Sequence, residues 1–315
     1  MIIGVMQPTP LPEGAVRLTD WGLIRAQGLD AANFLHGQLT QDVEHLSEQQ
    51  ARLAGYCSAK GRLLASLVVC RRSADELLLA CSADLLAPTL KRLSMFVLRA
   101  KCKLSDASAD LAVHGLVGAG AQRWLGEAAP VGAWGTGRLG DASVVRLPDA
   151  LGLPRHLLIQ SASAAAPDLP ALDPASWAWL EVRSAVPRIA AATVEQFVPQ
   201  MVNFELVGGV NFQKGCYPGQ EVVARSQYRG TLKRRAMLFD SDAPLQPGQE
   251  VFHDADPSQP AGMVVLAAPR PSGGWTALVE VKLAALEGGR LHAGAVDAAV
   301  LTPLTLPYAI PIEAP

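Results

Sequence analysis

Residues 211–225 read "NFQKGCYPGQEVVAR". A lysine, a lone cysteine, a Tyr-Pro-Gly sequence and a Gln-Glu pair fall within eight residues of a chain that is half apolar. Tyr217-Pro218-Gly219-Gln220 fits a reverse turn, with Pro at its second position and Gly at its third. Alternatively, Pro218 opens a helix with Glu221 in the first turn, and "EVVARSQYR" continues it until Gly230. Both readings place Cys216 at or just before a helix N-terminus and beside Lys214, and both features favour a thiolate. Gly215 leaves room beside the sulfur for a reactant to approach the backbone. The competing reading is an inert, buried Cys packed as a small hydrophobe, but the polar surroundings argue for a reactive thiol. No histidine adjoins it in sequence, so the local sequence supplies no Cys–His pair. The preceding "VGGV" lacks the spacing of a dinucleotide or phosphate loop.

Outward from this stretch, the composition is that of a folded globular chain. Its 315 residues allow two or three domains, 18% are charged, and the net charge is −2. That balance creates no general attraction to nucleic acid or anionic membrane, which disfavours direct tRNA binding. No apolar run approaches the roughly 18–20 residues that cross a bilayer. The opening "MIIGVMQPTPLPEG" has no Lys or Arg before Arg17 and is broken by prolines, unlike a secretory signal. Five cysteines, Cys57, Cys70, Cys81, Cys102 and Cys216, are odd in number and widely spaced. They indicate free thiols in a reducing cytoplasm. With no CxxC and six scattered histidines, no metal site is expected. One cysteine could share an iron–sulfur cluster but could not hold it alone.

Three segments follow from the patterning. The first, 14–108, is α+β: strand-like "AVRL" and "GLIRAQG", a helix at "DAANFLHGQL" with Asp30 as N-cap, then strands at "RLAGYC", "RLLASLVVC" and "ELLLAC". A helical stretch, "SADLLAPTLKRLSMFVL", carries a Pro near its start or at a kink. The second, 109–230, echoes the first, since "GLDAANFLHG" and "GAGAQRWLG" share a Gly-to-aromatic-Leu spacing after a β-like run; this suggests two related halves. An Ala/Pro-rich connector precedes a further helix at "ASWAWLEVRSAV". The third, 231–315, consists of short β-like runs separated by Pro and Gly turns, the pattern of a small antiparallel barrel or sandwich.

"KGCYPGQEVVAR" resembles the signature of the YgfZ family, which is related to the folate-binding T-protein of the glycine cleavage system. "EQFVPQMVNFELVGGVNFQ" (195–213), "AGYCSAKGRLLAS" (54–66) and "LTDWGLIRAQGLDAANFLHGQLTQDV" (18–43) are similar to that family too, in the expected order. The resemblance implies an α+β, T-protein-like body of two related halves around a folate pocket, followed by a small C-terminal β-barrel. It implies binding of tetrahydrofolate or a derivative. It further implies support of iron–sulfur enzymes and, through a tRNA methylthiotransferase, of tRNA modification. Folate-dependent one-carbon transfer, aminomethyl transfer or demethylation, is the alternative.

The same resemblance assigns folate contact to Trp21, in "TDWGL", and to Trp177, in "SWAWLEVRSAVPRI", with Trp179 a close competitor. An indole face suits a flat pterin. Cys216 and Lys214 become the candidate reactive pair, with Gly215, Tyr217, Gly219, Gln220, Glu221 and Arg225 as the supporting motif. Two positions depart from the T-protein pattern. Arg183 stands where those proteins place a pterin-binding Glu, with Glu181 two residues away, and Ala185 stands where a Gly is usual; both argue against T-protein-like aminomethyl transfer. Finally, Arg225, Arg229, Lys233, Arg234 and Arg235 form a basic cluster expected to be a solvated face, or else a contact for the folate tail or an RNA backbone.

Overall fold

The computed structural model describes residues 11–228 and 232–311. Residues 1–10, and with them most of the N-terminal segment read above, lie outside the described residues, as do Arg229 and Gly230.

The first strand, β1 (Gly14–Arg17), is followed by β2 (Trp21–Gln27) and helix α1 (Ala31–His36). A run of three antiparallel strands, β3 (Ala51–Cys57), β4 (Leu63–Ser73) and β5 (Glu76–Ser82), leads into α2 (Ala83–Ser94) and β6 (Lys103–Asp106). The second half begins with β7 (Leu111–Val117) and α3 (Gly118–Leu125), followed by β8 (Thr136–Leu139), β9 (Ala142–Ala150), β10 (Leu153–Ser161) and α4 (Pro174–Arg183).

The echo seen in the sequence corresponds to a structural repeat. One five-stranded sheet has the order β3-β4-β5-β2-β6 and the other β8-β9-β10-β7-β1. Strand–helix–three strands–helix recurs, with β2 and β7 in equivalent places. Only the edge strand differs in origin: β6 follows its half, whereas β1 precedes both and pairs with β7. The apolar faces of both sheets join one continuous core.

Two local expectations are corrected. Asp30 precedes α1 but makes no side-chain cap bond. Its carboxylate instead accepts the Lys101 backbone N–H at 2.7 Å, tying the helix start to the end of the half. Pro88 lies inside α2 (Ala83–Ser94), not near its start.

After α4 the chain returns to the first sheet. The Ile189 N–H donates to Ser66 Oγ at 2.9 Å, the Leu63 N–H to the Phe197 carbonyl at 2.8 Å, and the Asn211 N–H to the Thr40 carbonyl at 2.9 Å. Helix α5 (Gln220–Tyr228) ends this segment. The motif therefore packs on the half built from residues far earlier in the chain.

The C-terminal part comprises β11 (Arg234–Ser241), β12 (Glu250–His253), β13 (Gly262–Pro269), β14 (Trp275–Lys282), β15 (Leu291–Ala293) and β16 (Thr302–Leu304). They form one antiparallel sheet of order β15-β12-β13-β14-β11-β16. It curls into a half-barrel, and beside its two edges the Leu301 N–H reaches the Leu291 carbonyl at 2.8 Å. Val251, Val264, Val279, Val281 and Leu291 fill its own small core.

Candidate functional site

The motif turn forms as the first reading expects. The Gln220 N–H donates to the Tyr217 carbonyl at 3.2 Å, Gly219 has φ +80°, and α5 begins at Gln220. A Cβ on Gly219 would collide with the Ser58 carbonyl and the Gly61 backbone. The motif turn and the "SAKG" turn of residues 58–61 are thus in backbone contact, an approach that requires glycine.

Lys214 is not directed at solvent. Its ammonium donates to the carbonyls of His36 and Leu39, the latter at 2.8 Å, at the C-terminal end of α1. It also lies 4.9 Å from the centre of the buried Tyr217 ring. Burial lowers the Lys214 pKa to about 8. Cys216 is exposed, whereas Cys57, Cys70 and Cys81 are buried with thiols pushed up to about 12 by desolvation. Gln220 is half-buried, while Glu221 and Arg225 are exposed.

Beside the motif lies a pair that sequence reasoning missed. His36 Nδ1 is 3.1 Å from Asp42 Oδ1, and Asp42 Oδ2 is 3.0 Å from His45 Nδ1. Nδ1 is thereby engaged by Asp42, which leaves Nε2 as the other ring nitrogen. That nitrogen lies 3.5 Å from where a Gly215 Cβ would stand. The signal is two residues six apart in the first segment, and only the return of the chain to that segment brings His36 to Gly215.

A second site lies between the two sheets. Leu53, Ser66, Val68 and Ala80 from the first sheet face Leu147, Pro148 and Arg155 from the second, with Glu181, Ser184 and Arg188 closing one side and Trp21 and Trp134 forming aromatic walls. The cavity is narrow, about 30 Å³, and opens past Trp134, Pro148, Ser184 and Val186 into a groove of about 920 Å³. Arg146, Asp149, Arg183 and Tyr308 line that groove.

The Arg188 guanidinium grips Glu181 with two bonds, 2.8 and 3.0 Å, and reaches Asp20 Oδ2 at 2.6 Å. Burial disfavours its charge, but the two carboxylates outweigh that and raise its pKa. It stacks 5.0 Å from the centre of Trp21. Arg155, 2% exposed, donates from Nε and Nη2 to the Pro148 carbonyl at 3.2 and 3.1 Å. Arg155 Nη1 and Trp21 Nε1 are buried without a hydrogen-bond partner among the described residues.

Trp21 and Trp177 come close to this site in different ways. Trp21 forms part of the wall, whereas Trp177 is 2% exposed and lies beneath Arg155, 5.5 Å from its guanidinium carbon. Trp179 turns away, donating from Nε1 to Thr276 Oγ1 of β14 at 3.1 Å. Trp134 and Arg155 were not singled out by the sequence; an arginine inside the apolar run of β10 was the available signal. The expected exchange of an acid for Arg183 reads differently in three dimensions. Two residues apart on α4 they face different ways, so Glu181 faces the cavity and Arg183 the groove. Ala185 lies just past the end of α4 with φ +52°, a left-handed position that favours glycine.

The basic cluster is only partly a solvated face. Arg235 is buried on Glu205, and Arg234 pairs with Glu280, itself 1% exposed. Arg225 and Lys233 are exposed, and Arg229 lies outside the described residues. Among the described residues no group of His, Cys, Asp and Glu could hold a metal ion, and no helix is long and apolar enough to cross a membrane.

Two related α+β halves around a central cavity, with a curled C-terminal sheet, define a protein of the glycine cleavage T-protein fold. The glycine cleavage system aminomethyltransferase T from Bartonella henselae matches with a TM-score of 0.71, covering 93% of this chain and 85% of that one, at 14% identity. By sequence, the chain is 37% identical over 248 residues to tRNA-modifying protein YgfZ of Edwardsiella ictaluri, covering 73% of this chain and 71% of the relative. To the proteins of the same name from Yersinia pestis and Colwellia psychrerythraea it is 30% and 31% identical, over 75% and 73% of its length and 74% and 73% of theirs. The chain belongs to the YgfZ family. No family model matches it.

Proposed function

We propose that this protein binds a reduced folate at the junction of the central cavity and its groove and acts in tRNA modification by supporting iron–sulfur enzymes, with Cys216 as its working thiol. The tRNA link comes from the relatives, which are named tRNA-modifying proteins. The observation that carries the folate reading is the cavity wall: the indoles of Trp21 and Trp134 line it, and two buried donors without a partner among the described residues await acceptors. Trp177 would act from behind, by fixing Arg155. Lys214, Gly215, Tyr217, Gly219 and Gln220 would present the thiol, while Glu221 and Arg225, exposed on α5, would face a partner.

One-carbon transfer on the folate is the weaker reading. Cys216 is exposed, and neither it nor the residues named around the motif turn line the cavity. A thiol at the surface suits contact with a client protein, such as an iron–sulfur methylthiotransferase, better than chemistry on a pterin. The test is complementation of a deletion strain, read as methylthiolated tRNA. Failure of Cys216→Ala to restore it supports the thiol's role, and full restoration refutes it. Absence of tetrahydrofolate binding by the purified protein refutes the cofactor.

A further inference from the structure

We infer that Arg155 selects the ligand of the central cavity by donating a hydrogen bond to the C4 carbonyl of a pterin; this rests on the folate reading above. The cavity's polar wall is almost entirely satisfied from within. Both Glu181 oxygens are held by Arg188, whose remaining N–H groups reach the Asp20 carbonyl at 3.2 Å and Ser82 Oγ at 3.1 Å. Ser66 Oγ accepts from the Ile189 N–H, and Ser184 Oγ donates to the Glu181 carbonyl at 2.7 Å. Among the described residues, the wall atoms that are buried without a partner are Trp21 Nε1 and Arg155 Nη1, and both are donors.

Glu181 keeps further acceptor capacity beyond its two bonds from Arg188, but the two unpartnered donors call for acceptors on a ligand. Glu181 is fixed in place by Arg188 through one bond to each of its oxygens. The strongest acceptor on a 2-amino-4-oxopterin ring is its C4 oxygen, whereas a 2,4-diaminopterin carries a donor there. Arg155 is well set to tell them apart. Pro148 holds two of its nitrogens, and the Trp177 ring beneath restricts the guanidinium plane. Burial lowers the Arg155 pKa only to about 10, so the group is cationic at neutral pH. An unpaired buried donor facing another donor penalises the wrong ligand more than the correct bond rewards the right one.

Folic acid and aminopterin differ only in oxygen against amino at C4 and serve as the probe, with their tetrahydro forms as a second pair. Calorimetric titration of the wild-type protein is expected to show at least about tenfold tighter binding of the 4-oxo member of each pair. Arg155→Met should bring the ratio to within about twofold, and Arg155→Lys, which keeps a charged donor, should retain part of it. The wild-type ratio does not depend on how the variants fold. Equal binding of both members by wild type, or a ratio that survives Arg155→Met, overturns this role of Arg155 and leaves folate binding standing. Binding of neither member overturns the folate reading and this inference together.

Discussion

The Lys214 ammonium lies against the carbonyls of His36 and Leu39, 2.8 Å from the latter. It clamps the cysteine loop onto the last turn of α1, as cations commonly do at helix C-termini. Lys214→Met leaves both carbonyls without that donor and is expected to cost about 1–3 kcal/mol, read from denaturant midpoints. The pH dependence is specific. Burial lowers this pKa from 10.5 to about 8, so between those values the unfolded chain holds a proton that the folded one has released. Stability should rise with pH across that window, and Lys214→Met should remove that rise.

Two glycines of the same motif should respond in opposite ways. Gly219 combines φ +80° with backbone contact to Ser58 and Gly61, so Gly219→Ala is expected to destabilise by about 2 kcal/mol or more. Gly215 has no positive φ, and an added Cβ would meet only His36 Nε2 at 3.5 Å. Gly215→Ala should stay within about 0.5 kcal/mol of wild type. Equal losses at both would refute the close approach of the two turns.

The two α+β halves and the β-rich C-terminal part were legible because strand and helix periodicity are local, and the Gly-to-aromatic spacing after β2 and β7 marked the repeat. Even the Tyr-Pro-Gly-Gln turn was readable from its residue types. What periodicity could not convey was the return of residues 189–228 to the first sheet, which sets His36 and Asp42 beside Gly215. Nor could it show which of several tryptophans faces inward. Trp177 and Trp179 sit two apart on α4, and the helical twist alone sends one beneath Arg155 and the other to Thr276. Arg234 and Arg235 looked like surface charge because their acidic partners, Glu280 and Glu205, are 46 and 30 residues away in sequence.

Thiol labelling should discriminate sharply among the cysteines. Cys216 is exposed, while burial holds Cys57, Cys70 and Cys81 near 12. Iodoacetamide at pH 8, read by peptide mass spectrometry, is expected to alkylate Cys216 first and the half-buried Cys102 next. His36→Gln removes the imidazole facing Gly215 and should slow Cys216 alkylation near neutral pH without changing the other sites. An unaltered rate would mean that His36 does not influence the reactivity of the thiol.

Acid sensitivity should be traceable in part to His156. This residue of β10 is fully buried, neither ring nitrogen has a partner among the described residues, and desolvation drops its pKa from 6.5 to about 4. The folded state keeps the ring neutral where the unfolded state protonates it. Stability present above pH 6.5 is therefore lost as pH falls toward 4, by about 3 kcal/mol. His156→Leu should flatten the stability profile between those values. A profile unchanged by the substitution would assign the acid lability to other groups.

The Glu181–Arg188 pair tests how the cavity wall is held. Both side chains are largely buried, and their two bonds of 2.8 and 3.0 Å close one side of the cavity. Removing one partner strands a charge. Glu181→Leu is expected to cost about 3 kcal/mol, at the low end for such pairs because Asp20 still bonds Arg188 at 2.6 Å. Arg188→Leu should cost at least as much, since it leaves the more deeply enclosed carboxylate unpaired. The double variant replaces both charges by apolar groups in an already apolar cavity, so it should recover most of the loss. Urea unfolding of the wild type, both single variants and the double variant gives the coupling energy directly. Additive losses would show that the two residues act independently and that Glu181 is free to meet a ligand.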